Sequence, residues 1–305
     1  MKRFFSLKNN LASNTNSDGF ILDEASTSIL QKCLLDVYSD VLQICLKHGL
    51  KPVLVGGSLL GKIRHNGFIP WDNDFDMAFS REDYEKFKLL SEEFKPKYIL
   101  AIPGNSDMTP CNFIKVYKSN SYMELIDTKP KDTNKVSIDV FPIDYVPNTF
   151  IHRTTIAMTS TLLQGIIASI RFRTSYNSTN KDIQIDLSDP RLRINVIVRR
   201  IIGALFSKND ENKMIKLLDK IIAYRKRTTR CTIAVGRGHY RGEMLPVDFF
   251  FPLIESDFCG VKTWLPNNSE GYLSNLYGDY NKIPPEEKRE HDYFKKLIID
   301  GKVIV

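Results

Sequence analysis

The stretch GGSLLGKIRHNGFIPWDNDFD, residues 56–76, decides the fold of this chain. It follows an apolar run at residues 52–55 that predicts a short buried strand. Its Gly-Gly-Ser start lets backbone N–H groups approach a phosphate at the beginning of a helix. The stretch ends on Asp72, Asp74 and Asp76. Because side chains alternate faces along a strand, we expect these three carboxylates to point to the same side.

Three carboxylates on one side repel one another strongly unless a cation or protons intervene. Hard oxygen ligands of this kind suit Mg²⁺ or Mn²⁺, which often bridge protein carboxylates and substrate phosphates. A solvated acidic turn is the plain structural alternative. A calcium loop of the EF-hand type is excluded, because that pattern requires Gly at its sixth position and Glu at its twelfth, where this chain has Met77 and Asp83.

A fourth aspartate, Asp139, stands in another predicted strand, between Ile138 and Val140. An acid among apolar neighbours needs a cation or hydrogen bonds to hold it. A Gly-Gly-Ser turn, an Asp-x-Asp pair and a lone Asp on a distant strand form the layout of nucleotidyltransferase-type phosphotransfer sites. In those sites three carboxylates hold metal that polarises the phosphate under attack.

Periodicity and capping residues predict the elements around this stretch. A first helix should run from about Glu24 to His48, with Asp23 or Ser26 as its cap and Gly49 as its stop. The pattern is helical again, and rich in Arg and Lys, from about residue 150 to residue 234. Both segments are long enough to flank a sheet.

Further strands are predicted at residues 75–79, 112–117 and 136–141, and Pro142 should close the last of them. Ser80, with Asp83 three residues later, should cap a helix directly after the strand at residues 75–79. The sequence therefore predicts strands and helices mixed along the chain around the aspartate cluster.

The 305-residue chain has 43 Lys and Arg against 36 Asp and Glu, a net charge of +7, and 42% hydrophobic residues. This composition excludes a disordered tail protein, a collagen-like chain and a disulfide scaffold. The five cysteines lack a C-x-x-C spacing, which favours a reducing compartment and argues against a cysteine-ligated metal. No apolar run follows Lys2 and Arg3, so we expect a flexible N-terminal arm and a cytoplasmic protein.

The longest uncharged run, residues 154–170, is diluted by Thr, Ser, Gln and Gly. It is also shorter than the ~20 apolar residues of a membrane span. Its apolar positions that fit one face of a helix are Ile156, Leu163, Ile166, Ile167 and Ile170. We therefore expect a buried helix without a transmembrane anchor, with an interfacial membrane helix as the alternative.

Residues 56–76 strongly resemble the LicD family, which includes the fukutin-related proteins. Later motifs follow in the family's order: IDVFPID at 138–144, FCG at 258–260, WLP at 264–266, LYGDY at 276–280 and PPEEKR at 284–289 with His291. Ser58 stands where Thr is usual and Asn73 where another Asp is common, and neither departure removes an acid from the alternating set. The resemblance covers residues 24–150 and 240–292.

This resemblance implies an α+β fold: a nucleotidyltransferase-like mixed β-sheet core flanked by helices, with a basic helical insertion. It also implies transfer of a phospho-alcohol from a CDP-activated donor, such as CDP-choline or CDP-ribitol, to a hydroxyl of a cell-surface glycan or its lipid-linked precursor, with CMP leaving. The implied division is a flexible arm at 1–23, a catalytic core at 24–150, a basic helical segment at 151–235 and a C-terminal segment at 236–305 that packs back on the core.

Carried over by position, Asp74 and Asp76 would be paired ligands of Mg²⁺ or Mn²⁺, with Asp139 as the third carboxylate. Asp139 could also be the base that takes the acceptor's proton. Asp72 would be a further catalytic group, either as another ligand or behind the ligands.

Six residues are candidates for substrate binding, namely Gly57, Ser58, Arg64, His65, Lys115 and His291. Arg64 can grip a phosphate bidentately, and Lys115 lies on a strand between acidic strands. An ordinary ion pair is the alternative for both cations, and ordinary hydrogen bonding is the alternative for both histidines. Trp71 is interpreted as a core residue rather than as a platform for a base.

Three other functions remain open. A D-x-D glycosyltransferase would use a nucleotide-sugar, but it would show a parallel nucleotide-binding unit upstream of its acids. A nucleotidyltransferase proper would transfer NMP and release pyrophosphate. A nucleic-acid-binding protein is suggested by the pI of about 9.0 alone, and because no nucleic-acid-binding motif accompanies it, we expect no nucleic acid partner.

The positive charge is concentrated in one part of the chain. Residues 151–240 carry 17 Lys and Arg against 6 Asp and Glu, a net charge of +11, and the remaining residues have a net charge of −4. The acidic remainder suits a metal-dependent site. We expect the basic segment to dock an anionic glycan, its diphosphate-lipid carrier or, peripherally, the inner membrane surface; a solvated basic face is the alternative.

Overall fold

The structure is a computed structural model that describes residues 19–105, 110–125, 134–178, 190–206 and 211–305. Within these ranges it contains eight helices, a mixed sheet of nine strands and a separate sheet of three strands. The predicted α+β class is confirmed. Residues 1–18 of the predicted N-terminal arm lie outside the described residues. In the part of the arm that is described, Phe20 exchanges backbone hydrogen bonds with Phe294, and Leu22 is buried.

The elements alternate along most of the chain. The helices are α1 (Glu24–Lys47), α2 (Gly56–His65), α3 (Arg81–Lys88), α4 (Phe150–Ser178), α5 (Pro190–Leu205), α6 (Glu211–Ile222), α7 (His239–Gly242) and α8 (Ser269–Tyr277). The strands are β1 (Val53–Leu54), β2 (Asp76–Ser80), β3 (Tyr98–Ala101), β4 (Ile114–Lys118), β5 (Ser121–Leu125), β6 (Ser137–Tyr145), β7 (Arg230–Thr232), β8 (Leu245–Pro246), β9 (Ile254–Phe258), β10 (Val261–Leu265), β11 (Phe294–Ile299) and β12 (Lys302–Val303).

The large sheet has the order β3-β4-β6-β2-β1-β10-β9, and β7 pairs with both β6 and β8. The pairs β2–β6 and β1–β10 are parallel and the other pairs are antiparallel. Val53 of β1 lies beside Trp264 of β10. The sheet that begins near the N-terminus is therefore completed by strands from the last fifth of the chain. The small sheet has the order β12-β11-β5.

The first helix confirms its predicted capping. Asp23 accepts a hydrogen bond from Ser26 N–H through Oδ1 at 2.7 Å, which satisfies a backbone donor that the first turn leaves free. The helix ends at Lys47, before Gly49, whose φ of +66° favours glycine. Ser80 caps α3 as predicted, because its Oγ accepts from Asp83 N–H at 3.2 Å.

The prediction that Pro142 closes the strand at residues 136–141 is wrong, because β6 continues to Tyr145. Asp139 N–H donates to β2, at Phe75 O, so alternation directs the nitrogen of Pro142 to the opposite edge. There, β4 makes its last pair with β6 at Val140, and β7 makes its first at Asp144. The nitrogen of Pro142 thus lies in a gap where the sheet requires no donor.

Helix α4 confirms the predicted burial of its apolar face, since Ile156, Leu163, Ile166, Ile167 and Ile170 are all buried. The helix is nevertheless long and apolar enough, over residues 150–173, to cross a membrane by length and composition, and half of that window is buried inside the protein. Helix α5 packs on α4 at Gly203, where a Cβ would lie 2.5 Å from Ser169 O.

Candidate active site

A cavity of about 630 Å³ opens where β1 ends and where β2 and β6 begin. The acidic residues that line it are Asp72, Asp74, Asp76, Asp139, Glu243, Asp279 and Glu290. The basic residues that line it are Arg64, Arg237, Lys282, Lys288 and Arg289. All four predicted catalytic aspartates therefore line one cavity, together with cations from the C-terminal part of the chain.

Three charged residues lie side by side across neighbouring strands of the large sheet. Asp76 of β2 is the register partner of Asp139 on β6, and Asp139 is the partner of Lys115 on β4. Because register partners point to the same face of a sheet, the three side chains form one row. Lys115 Nζ donates to Asp139 Oδ1 at 2.5 Å, so this predicted substrate-binding lysine is in an ion pair with a predicted catalytic acid.

The start of α2 is tied to Asp76 by two hydrogen bonds. Gly57 N–H donates to Asp76 Oδ2 at 3.1 Å, and Asp76 N–H donates to Ser58 Oγ at 2.8 Å. The helix N-terminus predicted to approach a phosphate thus holds a carboxylate, consistent with the positive end of the helix dipole. Ser58 is buried and does not line the cavity, whereas Gly57 does.

The prediction that Asp72, Asp74 and Asp76 lie in one strand and share its face is wrong, because β2 begins at Asp76. The two preceding aspartates lie in irregular chain. The carboxylates nevertheless converge on Gly57: a Cβ there would lie 2.8 Å from Asp72 Oδ2, 3.7 Å from Asp76 Oδ2 and 3.8 Å from Asp74 Oδ1. A glycine at this position is what leaves room for the cluster.

The cluster carries negative charge without a matching cation. Burial raises the pKa of Asp72 and of Asp76 well above its ordinary value, and repulsion from Asp74 raises both further. Enclosure by the cavity walls also raises the pKa of Asp74, with repulsion from Asp139 as the next cause. No ion pair among the described residues includes Asp72, Asp74 or Asp76.

This donor set fits a divalent cation chemically. Mg²⁺ and Mn²⁺ prefer carboxylate oxygens, and a cation at the cluster would relieve the repulsion between carboxylates that helps to raise the pKa of Asp72, Asp74 and Asp76. In the described parts of the chain, however, no group of three or more His, Cys, Asp or Glu side chains has the arrangement of a formed metal site. Metal binding therefore stays a proposal that rests on the chemistry of the donors.

Arg64, a predicted phosphate-binding residue, lines the cavity, and two hydrogen bonds fix its guanidinium. Its Nη1 donates to Tyr280 O at 2.8 Å, and its Nε donates to His65 Nε2 at 2.9 Å. Burial lowers the pKa of His65, and the charge of Arg64 lowers it further, which keeps the imidazole a neutral acceptor. His65 thus acts on Arg64 and does not itself line the cavity.

The remaining sequence candidates lie in different places. His291 is half-buried and does not line the cavity. Trp71 packs against the core, as interpreted, but it also lines the cavity, and the guanidinium of Arg289 lies 4.1 Å from the centroid of its ring. The pair gives the cavity an aromatic face covered by a cation.

The sequence reasoning missed Glu243 and Tyr272, both buried in the cavity wall. Tyr272 Oη donates to Glu243 Oε2 at 3.4 Å and accepts from Gly56 N–H at 3.3 Å, which links the C-terminal part to the start of α2. Burial raises the pKa of Glu243 to about 7. The G-R-G stretch at 236–238 was the signal in the sequence for this part of the cavity. Its first glycine leaves room for the Glu243 side chain, because a Cβ at Gly236 would lie 2.4 Å from Glu243 Oε1.

Arg237 was also missed. Its two terminal nitrogens donate to Glu290 at 3.0 and 2.8 Å at the rim of the cavity, and this hydrogen-bonded pair raises the pKa of Arg237. A bidentate pair of this kind presents a fixed guanidinium to the cavity. Apart from the glycines on either side of it, nothing in the local sequence distinguishes Arg237 from the arginines at residues 225–230.

Comparison with known proteins relates the chain to enzymes of one kind. The family model described as LicD/FKTN/FKRP, nucleotidyltransferase domain, matches residues 49–163. Over 270 residues, 84% of this chain and 91% of the relative, the sequence is 24% identical to the lipopolysaccharide cholinephosphotransferase LicD of Haemophilus influenzae (strain ATCC 51907 / DSM 11121 / KW20 / Rd).

Two shorter matches are to uncharacterized proteins. One of Rickettsia typhi (strain ATCC VR-144 / Wilmington) is 34% identical over 70 residues, 22% of this chain and 23% of the relative. One of Rickettsia prowazekii (strain Madrid E) is 31% identical over 62 residues, 20% of this chain and 23% of the relative. The matched family region at 49–163 contains α2 and the four aspartates, whereas Arg237 and Glu243 lie beyond it.

Proposed function

Because this chain is a homologue of the LicD family, with that family's nucleotidyltransferase domain over residues 49–163, we propose that it is a phospho-alcohol transferase. It takes phosphocholine, or a similar phospho-alcohol such as ribitol phosphate, from a CDP-activated donor. It transfers the group to a hydroxyl of a cell-surface glycan or its lipid-linked precursor, and CMP leaves. Because the Haemophilus relative is a lipopolysaccharide cholinephosphotransferase, phosphocholine and lipopolysaccharide are the first donor group and acceptor to test.

The observation that carries this proposal is the arrangement of charge in the cavity. The four candidate catalytic aspartates, three further acidic residues and five Lys or Arg residues line the same 630 Å³ space. A diphosphate donor requires cations around its bridging oxygens, and a hydroxyl nucleophile requires a carboxylate within reach. The cavity supplies both in one place.

In the proposed reaction the glycan hydroxyl attacks the phosphorus that bears the alcohol. The bond from that phosphorus to the bridging oxygen of CMP breaks, and the hydroxyl proton passes to a carboxylate. Asp139 is our candidate for that base, because Lys115 holds its Oδ1 and orients the carboxylate in the row with Asp76. Arg64, fixed by Tyr280 and His65, and Arg237, fixed by Glu290, are our candidates for binding the phosphates.

We propose Asp74, Asp76 and Asp139 as the residues that hold Mg²⁺ or Mn²⁺, with Asp72 behind them. When bound, the ion would neutralise charge that develops on the bridging oxygens. Gly57 assists by leaving space in which the three carboxylates of Asp72, Asp74 and Asp76 meet.

The test is CMP release by the purified full-length chain, measured with CDP-choline and CDP-ribitol in the presence of a glycan acceptor and Mg²⁺. We expect Asp74→Asn and Asp76→Asn to lower turnover by at least about 10²-fold, because each removes a charge on which the transition state depends. Asp36→Asn, at an exposed position of α1, is the matched control and should leave turnover unchanged.

Undiminished turnover in the two cluster variants would contradict the proposal. Transfer of a sugar from a nucleotide-sugar would favour the D-x-D glycosyltransferase instead. Release of pyrophosphate rather than CMP would favour an NMP-transferring nucleotidyltransferase.

A further inference from the structure

Helix α5 exposes apolar side chains along one side. The side chains of this face are between 45% and 73% exposed, and they are Ile194, Ile197, Val198, Ile201 and Leu205. Its other side packs into the protein, since Val196 and Arg199 are buried and Gly203 contacts α4. The exposed apolar face is therefore a second face, distinct from the one that anchors the helix.

Helix α4, against which α5 packs, has an exposed apolar stripe of its own. Ile151, Met158 and Leu162 recur at intervals of seven and four residues and are 79%, 64% and 64% exposed. This spacing places them on one side of the helix, opposite the buried Ile156 and Ile167. Because half of the apolar window of α4 is buried within the protein, this helix is suited to lie along an interface rather than to cross it.

The charge around these two faces is positive. Helix α5 contains no Asp or Glu, and two of its Arg residues, Arg193 beside Ile194 and Arg200, are exposed. At the start of α4, the ring of Tyr224 packs edge-on against His152, which brings the exposed run at residues 225–227, Arg-Lys-Arg, close to that end of the helix. Exposed apolar side chains beside Arg and Lys match the composition of helices that bind anionic lipid surfaces.

We propose that α4 and α5 bind the surface of an anionic lipid bilayer, with the exposed apolar side chains entering the boundary between headgroups and acyl chains. The basic residues beside them contact the lipid phosphates. The protein is then a peripheral membrane protein, and it is held at the bilayer by α4 and α5, which do not line the aspartate cavity. This inference does not depend on the proposed chemistry, because none of its residues lines the cavity.

The test is sedimentation of the full-length chain with vesicles. We expect binding to vesicles of phosphatidylcholine with phosphatidylglycerol, weak binding to phosphatidylcholine alone, and release as salt is raised, since surface charge is screened. The double variant Ile197→Glu/Ile201→Glu should lower the partition coefficient by about 10-fold or more, because it puts charge into the apolar face. Arg193→Gln should lower binding to anionic vesicles by a smaller factor.

Leu89→Glu is the matched control, since Leu89 is 82% exposed at the end of α3, and it should bind as the unchanged protein does. Circular dichroism of each variant shows that the fold is kept. Equal binding by the double variant and the control overturns the proposal, as does binding that resists both high salt and carbonate extraction. A loss of mass from dimer to monomer in the double variant also overturns it, because the face would then be an interface between two copies.

Discussion

At the scale of single residues, the cavity depends on a missing side chain at Gly57. A Cβ at this position would lie 2.8 Å from Asp72 Oδ2, closer than real Cβ contacts allow. We expect Gly57→Ala to displace the carboxylates, to cost about 1–3 kcal/mol of unfolding free energy and to lower turnover by about 10²-fold.

Turnover and urea unfolding of Gly57→Ala measure both effects, and Gly165→Ala is the control. No atom lies within 4 Å of a Cβ built at Gly165, which stands within α4. That change should raise the unfolding free energy by up to about 1 kcal/mol, because alanine loses less backbone entropy in a helix. Full activity in Gly57→Ala would show that the convergence of carboxylates is unimportant.

A second residue-scale prediction concerns Glu243, whose pKa rises from 4.5 to about 7 on burial. As the pH rises between these values, the unfolded chain loses this proton before the native protein does. The native state then binds more protons, and its stability falls by about 3 kcal/mol in total by the end of that window. Glu243→Gln cannot ionise, so its stability relative to the unchanged protein should rise by this amount between pH 4.5 and pH 8.

Urea unfolding of both proteins at several pH values checks this. Glu92→Gln is the matched control, since it makes the same replacement at a side chain that is 78% exposed. A pH-independent difference for Glu243→Gln would show that burial does not raise the pKa of Glu243 above its value in the unfolded chain.

At the scale of elements, an ion-pair network joins α3, β6 and α6. Arg81 donates to Asp144 at 2.6 and 2.8 Å and to Asp219 at 2.8 Å, and Arg81 and Asp144 are buried. Burial alone would lower the pKa of Arg81, but the facing carboxylates of Asp144 and Asp219 raise it, so the guanidinium stays charged. The network fixes the basic helical part of the chain against the sheet behind the cavity.

We expect Arg81→Met to lower the unfolding free energy by about 3–5 kcal/mol, because it leaves Asp144 buried without its partner. Chemical denaturation measures this. Adding Asp144→Asn should recover part of the loss, since the second change removes the unpaired charge. Lys86→Met, which breaks exposed pairs with Glu82 and Asp83, should leave the stability nearly unchanged, because solvent screens such pairs. A small effect of Arg81→Met would mean that water reaches Asp144.

Elements governed by local chemistry were predictable, and elements governed by distant contacts were not. The cap at Asp23 and the stop at Gly49 depend on neighbouring backbone groups, and both predictions are confirmed. The continuation of β6 past Pro142 depends on where β4 ends and β7 begins, which local sequence does not show. Helical spacing puts the five apolar residues of α5 on one side, but spacing alone does not show that this side is exposed.

The same distinction holds for the candidate site. Three of the four aspartates were found because one short motif carries them, and Asp139 was found because an acid between Ile138 and Val140 is unusual in a strand; all four line the cavity. Glu243 and Arg237 reach the cavity because the C-terminal part returns to the sheet, and no periodicity near them indicates this. The catalytic roles, the metal and the cytoplasmic location stay predictions, whereas the resemblance to the LicD family is confirmed.

At the scale of the whole molecule, the cavity is built from parts that the chain brings together from far apart. The stretch at residues 56–76 supplies three aspartates, β6 supplies Asp139, and residues 233–290 supply the opposite wall. A ligand that binds this cavity binds the folded protein and not the unfolded chain, so it must raise the stability of the whole fold.

We therefore expect Mg²⁺ or Mn²⁺ to raise the melting temperature of the full-length chain. At a concentration 100 times the dissociation constant, the gain in stability is about 2.7 kcal/mol, which for a protein of this size corresponds to several degrees. The gain should increase with pH, because the raised pKa values of Asp72, Asp74 and Asp76 mean that protons compete with the cation at lower pH.

Asp74→Asn should abolish the shift in melting temperature, and Asp36→Asn should keep it. A shift that survives Asp74→Asn would place the cation elsewhere, and no shift with either ion would contradict metal binding at this cluster. Since melting requires neither donor nor acceptor, this outcome is independent of whether phosphocholine is the group transferred.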